Sequence, residues 1–214
     1  MGFLSKLFGR KTGADWTEIA DEKRAHFAKH LGEPTDSVIF SPLPFQFGGM
    51  VNLWVFPNKI PGAILTTMQL VAPGRTDQKK GPLGKYELAM AVKEDLSTVE
   101  QLQAESDNPD SSLNLVRRLI TAISGYSQMA VLQPGETAEL PTEDPEEPSI
   151  YLLFDTIIKP DNATLIGNDT LALLLIMKIT KQDFVYKETH GGEALIKQLK
   201  EAKRYPYTQA SQSQ

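Results

Sequence analysis

Three side chains near the start of the chain, Glu22, His26 and His30, recur at a spacing of four residues. On a helix this spacing places a carboxylate and two imidazoles on one face, where they could coordinate zinc. Beyond this face the chain offers one further histidine, His190, and it contains no cysteine. The three residues flank the apolar stripe of the predicted helix and not a cleft, so we interpret them as a solvated helix face. A small hydrolase or metal-dependent enzyme that uses Glu22, His26 and His30 is the alternative.

The sequence carries no motif that identifies an enzyme. A serine hydrolase elbow would read Gly-x-Ser-x-Gly, and the nearest segment, residues 124–127, has another order. Residues 81–85 are not a phosphate-binding loop, because Tyr86 follows Lys85 where Ser or Thr is required. We therefore predict a protein that is not an enzyme and that needs no cofactor and no metal.

The bulk composition favours a globular cytoplasmic protein that binds no nucleic acid. The 214 residues are 41% hydrophobic and 23% charged, which are ordinary values for a globular domain. The formal net charge of −5 argues against a nucleic-acid partner, because phosphates require a basic surface. The absence of cysteine excludes disulfides and is compatible with a reducing cytoplasm.

The chain is predicted to divide into a short N-terminal segment, one large domain and a polar tail. Residues 1–14 are amphipathic, and four apolar side chains share one helical stripe: Phe3, Leu4, Leu7 and Phe8. A peripheral membrane scaffold that uses the segment from Met1 to Lys11 is an alternative, but we expect a terminus without membrane contact. Residues 15–208 are predicted to form a single domain and residues 209–214 a disordered tail.

Hydrophobic periodicity and turn residues predict an α+β fold with a mixed, mostly antiparallel sheet flanked by helices. Strands are predicted at residues 38–40, 50–56, 64–70, 87–92, 126–132, 150–158 and 171–179. Helices are predicted at 16–31 after an Asp15 cap, from Ser111 or Ser112 to before Gly125, after Thr180, and at 193–202. Residues 101–112 are predicted to be a polar loop, and Arg117 and Arg118 to face water. Residues 171–179 are the predicted central strand, because both of its faces are apolar.

A long acidic segment, residues 134–149, carries the candidate partner-binding residues. It contains four prolines, no basic residue and a cluster of carboxylates. We assign partner binding to Glu139, Glu143, Asp144, Glu146 and Glu147. Uncompensated carboxylates would attract a basic protein, such as a toxin, and would raise its rate of association. The alternative is a solvated loop that aids solubility.

The order of several short segments resembles the Suppressor of Fused family, in its bacterial branch. A strand at residues 51–57, Val-Asn-Leu-Trp-Val-Phe-Pro, is followed by Leu-Thr-Thr-Met-Gln-Leu at 65–70 and by Tyr86-Glu87-Leu88. Asn52 stands where the family often has an acid. The resemblance continues at 178–183, at 190–192 and at 195–201, and it ends with Tyr-Pro-Tyr-Thr at 205–208.

The resemblance implies a Suppressor of Fused-like fold and protein recognition without catalysis. Animal members sequester a transcription-factor peptide by clamping it as an added strand. Related bacterial domains are inferred to be immunity proteins that neutralise a toxin. We therefore predict a non-enzymatic protein-binding domain, in its finer form a bacterial immunity protein.

Overall fold

The computed structural model of the chain describes residues 13–43, 45–71, 81–142, 148–161, 165–166 and 169–208. Its strands are β1 (Val38–Ile39), β2 (Leu53–Phe56), β3 (Ala63–Thr67), β4 (Lys85–Val92), β5 (Thr137–Leu140), β6 (Ile150–Ile158), β7 (Leu165–Ile166) and β8 (Asp169–Ile179). Its helices are α1 (Gly13–Leu31), α2 (Val99–Asp107), α3 (Ser112–Tyr126), α4 (Lys181–His190) and α5 (Gly192–Glu201).

The strands form one mixed sheet in the order β1-β2-β3-β4-β8-β6-β5, and β7 pairs with β8 outside this path. β4 and β8 run parallel, with Leu88 opposite Leu174, and the other neighbouring strands are antiparallel. This arrangement confirms the predicted mixed, mostly antiparallel sheet. β8 lies between β4 and β6, and its residues 171–177 are buried, which confirms it as a buried interior strand, next to the middle strand β4.

Helices cover both faces of the sheet. On one face, α3 buries Val116 and Ile120 in a core cluster shared with β2, β3, β4 and β8. On the other face, Phe27 of α1 packs in a second cluster and Leu195 of α5 in a third. Each fully buried side chain of this kind stabilises the fold by roughly 1.5–3 kcal/mol, so the layers are held mainly by apolar packing.

Several predicted elements are wrong. Residues 101–112 were expected to form a loop, but α2 begins after Thr98, whose hydroxyl accepts from the Gln101 N–H at 3.2 Å. The Gln101 side chain in turn accepts from the Thr98 N–H at 2.9 Å, which completes a capping box. Residues 126–132 do not form the predicted strand, because α3 includes Tyr126 and a hydrogen-bonded turn follows at residues 127–129. β5 lies within the segment that was predicted to be one long loop.

Helix boundaries also differ from the prediction at two places. α1 begins at Gly13, so Asp15 lies inside the helix instead of capping it. α3 passes through Gly125 and ends at Tyr126, because a helix tolerates one glycine near its end at a small cost. Ser111 does cap α3, since its hydroxyl accepts from the Asn114 N–H at 3.1 Å.

A network of side-chain contacts fixes the start of α4. The Thr180 hydroxyl accepts from the Asp183 N–H at 3.1 Å, which confirms the predicted cap. Arg204 Nη1 donates to Asp183 Oδ1 at 3.0 Å. Burial alone would raise the pKa of Asp183, but the hydrogen bonds from Arg204 and Thr180 outweigh it and hold this pKa below its usual value.

The last described residues cross back over the sheet. Tyr205 donates its hydroxyl to Asp155 Oδ2 at 3.0 Å, and the Thr208 N–H donates to the Ala91 carbonyl at 2.9 Å. Burial and the neighbouring Asp155 carboxylate raise the pKa of Tyr205. The Tyr-Pro-Tyr-Thr segment therefore ties the end of the domain to β4 and β6. None of the described helices combines the length and the apolar character that a membrane-spanning helix requires.

Candidate protein-binding surface

The loop between β1 and β2, residues 40–52, is held by hydrogen bonds at its base. The Ser41 N–H donates to Asn52 Oδ1 at 2.9 Å, and the Ser41 hydroxyl donates to the Leu43 carbonyl at 2.7 Å. The same hydroxyl accepts from the Met50 N–H at 3.1 Å. Asn52 thus serves as a hydrogen-bond acceptor, a role that a carboxylate could also fill.

Tight backbone contacts and core packing hold the rest of the β1–β2 loop. A Cβ on Gly49 would lie 1.7 Å from the Leu43 carbonyl oxygen, so only glycine fits there. Phe45 packs against the core cluster beneath α3, and the Val51 N–H donates to Thr121 Oγ1 of α3 at 3.3 Å. The loop is therefore a fixed part of the domain.

Large apolar side chains project into solvent from this loop and from its neighbour α2. Their exposed fractions are 65% for Phe40, 48% for Leu43, 76% for Phe47 and 63% for Val99. Single exposed apolar residues are common, but several on one anchored loop and the adjacent helix form a surface typical of protein–protein contact.

A groove of about 310 Å³ separates β1 from α2 beside this loop. Its walls are Ser37, Val38, Ile39 and Phe40 on one side and Val99, Leu102, Gln103 and Ser106 on the other, with Arg117 of α3. β1 is the first strand of the sheet and pairs with β2 alone among the described strands. The groove therefore runs beside a strand edge that could accept another extended segment.

Arg117 is half-buried, although the helical pattern predicted that it would face water, whereas Arg118 is exposed as predicted. The Arg117 side chain lines the groove, and its Nε is buried. The error arises because α2, expected to be a loop, packs beside α3 and covers this part of the helix.

Glu139, the one acidic candidate among the described residues, lies away from this surface. Glu139 is exposed on β5, at the opposite end of the sheet from β1. Glu143, Asp144, Glu146 and Glu147 lie outside the described residues, as do residues 1–12 and 209–214. The sheet order thus separates Glu139 from the apolar surface.

Glu22, His26 and His30 lie on α1, but the described residues contain no group of three or more His, Asp or Glu side chains suited to holding a metal. The rings of His26 and His30 have centroids 5.4 Å apart. His26 is only 4% exposed, so the prediction of a solvated helix face is wrong for it. Burial, followed by the charges of His30 and Lys29, lowers the pKa of His26.

The apolar surface and its groove were not predicted from the sequence. The signal was present in the segment Phe-Ser-Pro-Leu-Pro-Phe-Gln-Phe at residues 40–47, which is apolar yet rich in turn residues. So many apolar residues in a short turn-rich segment cannot all reach the core. Phe45 packs against it, whereas Phe40, Leu43 and Phe47 are left exposed.

Two solved structures have a similar fold. The Sufu-Fu complex crystal structure matches with a TM-score of 0.52 and 14% sequence identity, over 87% of this chain and 84% of that chain. Drosophila Suppressor of Fused matches with a TM-score of 0.53 and 13% identity, over 85% of this chain and 46% of that chain. This chain therefore spans less than half of the Drosophila protein.

Comparison with family models gives no match for this sequence, and comparison with curated proteins gives none either. At identities of 13% and 14% the structural likeness concerns the fold alone. The strand order, the helices on both faces and these matches agree with what the sequence motifs implied. The chain has an α+β fold of the Suppressor of Fused type.

Proposed function

We propose that this chain is a non-enzymatic protein-binding domain that holds its partner against the β1 edge and the β1–β2 loop. The observation that carries the proposal is the exposure of Phe40, Leu43, Phe47 and Val99 around one groove and its adjoining loop. Burying such side chains against a partner removes apolar area from water, which is the main favourable term in protein association.

The anchoring of the loop supports this proposal. A loop that is already ordered loses little conformational entropy when it binds, so more of its contact energy appears as affinity. The Ser41 and Asn52 hydrogen bonds and the partly buried Phe45 supply that order. Leu43 and Phe47 are then presented as ready anchors for a partner pocket.

Strand addition is the binding mode that fits the groove. An extended segment beside β1 would satisfy main-chain groups of an edge strand and would place alternate side chains toward Leu102 or solvent. One structural neighbour was solved as the Sufu-Fu complex, so a protein of this fold does bind another protein.

We further propose that the chain is a bacterial immunity protein that neutralises a basic toxin in the cytoplasm. The net charge of −5 and the acidic cluster around Glu139 support it, because opposite charge accelerates encounter. Replacing Glu139, Glu143, Asp144, Glu146 and Glu147 by their amides should slow association at low salt and leave dissociation nearly unchanged. Surface plasmon resonance at two salt concentrations would measure both rates, and an unchanged association rate would show that these carboxylates do not steer the partner.

The apolar surface is tested by comparing what co-purifies with three tagged chains expressed in the organism of origin. The unmodified chain and Val185→Ser, a control at an exposed apolar residue of α4, should retain the same partner. The double variant Phe40→Ser, Phe47→Ser should lose it while folding normally, since both side chains are largely exposed. Equal retention by all three chains would refute the assignment of this surface.

A further inference from the structure

The groove between β1 and α2 has an unusual charge. Among the described residues that line it, Arg117 carries the only formal charge, and the others are apolar or neutral polar. The half-buried Arg117 side chain is less hydrated than a cation on the open surface, so its interaction with an anion is stronger.

The hydrogen-bonding capacity of Arg117 is largely unused within the described part of the chain. Its Nη1 donates to Asn114 Oδ1 at a long 3.4 Å. Its Nε is buried and finds no acceptor among the described residues, and no described carboxylate lies within ion-pair distance of its guanidinium. A buried donor without an acceptor is costly and uncommon in native proteins.

We propose that Arg117 binds an Asp or Glu side chain in the segment of the partner that occupies this groove, an inference that rests on the proposed function. The carboxylate accepts from the guanidinium N–H groups that reach the groove, a paired geometry that the planar guanidinium favours. Flanking apolar residues of the same segment contact Val99, Leu102 and Phe40. The recognised feature is thus one carboxylate between apolar side chains.

The charge balance favours a carboxylate over a phosphate. A phosphorylated residue carries close to two negative charges at neutral pH, whereas the groove offers one arginine. One carboxylate and one guanidinium neutralise each other, so the pair can be covered by apolar groups without leaving a net buried charge. A partner that is basic as a whole can still carry this single acid at the point of contact.

The test uses two blocked peptides, acetyl-Val-Thr-Glu-Val-Val-amide and the same peptide with Gln in place of Glu. Blocked ends remove the terminal carboxylate, so only the side chain differs. Isotope-edited NMR would follow the Arg117 Nε–H signal and the backbone amides of residues 37–40 during titration. We expect the Glu peptide to shift both sets saturably and to bind about tenfold more tightly than the Gln peptide, as charged hydrogen bonds do.

Matched variants separate this contact from general electrostatics. Arg117→Gln should abolish the preference for the Glu peptide, whereas Arg118→Gln, at the exposed neighbour on the same helix, should retain it. Equal affinity for both peptides would overturn the carboxylate proposal. Saturable shifts of the backbone amides of residues 37–40 would in that case still support docking of a partner segment in the groove. The absence of a saturable shift with either peptide would also overturn the carboxylate proposal. The proposed function is tested independently, by whether the Phe40→Ser, Phe47→Ser double variant retains the partner.

Discussion

Lys23 Nζ lies 2.5 Å from Glu87 Oε1, and both side chains are buried between α1 and the sheet. Lys23 also donates to the Val71 carbonyl at 2.9 Å. Glu87 accepts from the Val71 N–H at 3.0 Å and from the Thr67 hydroxyl at 2.6 Å. The pair therefore fixes α1 and the chain that follows β3 in one arrangement on β4.

Breaking this pair should destabilise the domain strongly. Lys23→Met leaves a buried carboxylate without its cation, and Glu87→Gln leaves a buried ammonium without its anion. Each change should lower the free energy of unfolding by about 3–5 kcal/mol, measured by urea denaturation. The double variant should lose less than the sum of the two single losses, because no uncompensated charge remains.

The neighbouring Arg24 supplies the control for this experiment. Arg24 Nη2 lies 3.8 Å from Asp36 Oδ1 in an exposed pair, so Arg24→Met should change stability by about 0.5 kcal/mol or less. Strictly additive losses in the Lys23 and Glu87 variants would contradict the coupling of the two buried charges.

The burial of His26 predicts a loss of stability as the pH falls. Its pKa in the folded protein is lowered from the ordinary value of 6.5, so both states hold it neutral above that pH. Below pH 6.5 the unfolded chain binds the proton first, and the free energy of unfolding decreases as the pH falls toward the folded pKa. Urea denaturation between pH 7.5 and 5 would measure this decrease.

Two variants test whether the His26 imidazole causes this pH dependence of the free energy of unfolding. His26→Gln should flatten the decrease, whereas His30→Gln, at an exposed position on the same helix, should largely preserve it. A decrease of the same size in the His26→Gln protein would show that other groups cause it.

The hydrogen bond between Ser41 and Asn52 predicts which substitutions the β1–β2 loop accepts. Asn52→Asp keeps an oxygen acceptor for the Ser41 N–H and should leave the free energy of unfolding nearly unchanged. Asn52→Leu has a similar size but no acceptor and should cost about 1 kcal/mol. Thermal or urea unfolding of the two variants provides the comparison, and equal stability of both would show that this contact contributes nothing.

The sequence was most informative where local signals and burial agree. Residues 150–158 were predicted and observed as β6, and Thr180 was predicted and observed as the cap of α4. Both rest on short-range patterns, an apolar run and a capping residue. The missed α2 has a weak apolar stripe with one buried residue, Leu102, so its capping box was the better signal.

The groove and the buried ion pair could not be predicted because they depend on distant contacts. Lys23 and Glu87 are 64 positions apart, and each looks like an ordinary charged residue in its own element. Arg117 has the periodicity of a solvent-facing residue, and it is half-buried because α2 and β1 lie beside this part of α3. The hydrophobic pattern of one helix or strand does not reveal which other helix or strand will pack against it.

Amide hydrogen exchange of the complex with the captured partner would locate the binding surface on the chain. We expect slower exchange in the complex at residues 37–43, at 45–47 and in α2, which line the groove and its loop. Exchange in α4 and α5 should stay as it is in the unbound chain. Protection confined to α4, α5 or the β5 edge, with residues 37–47 unchanged, would contradict binding at the β1 edge.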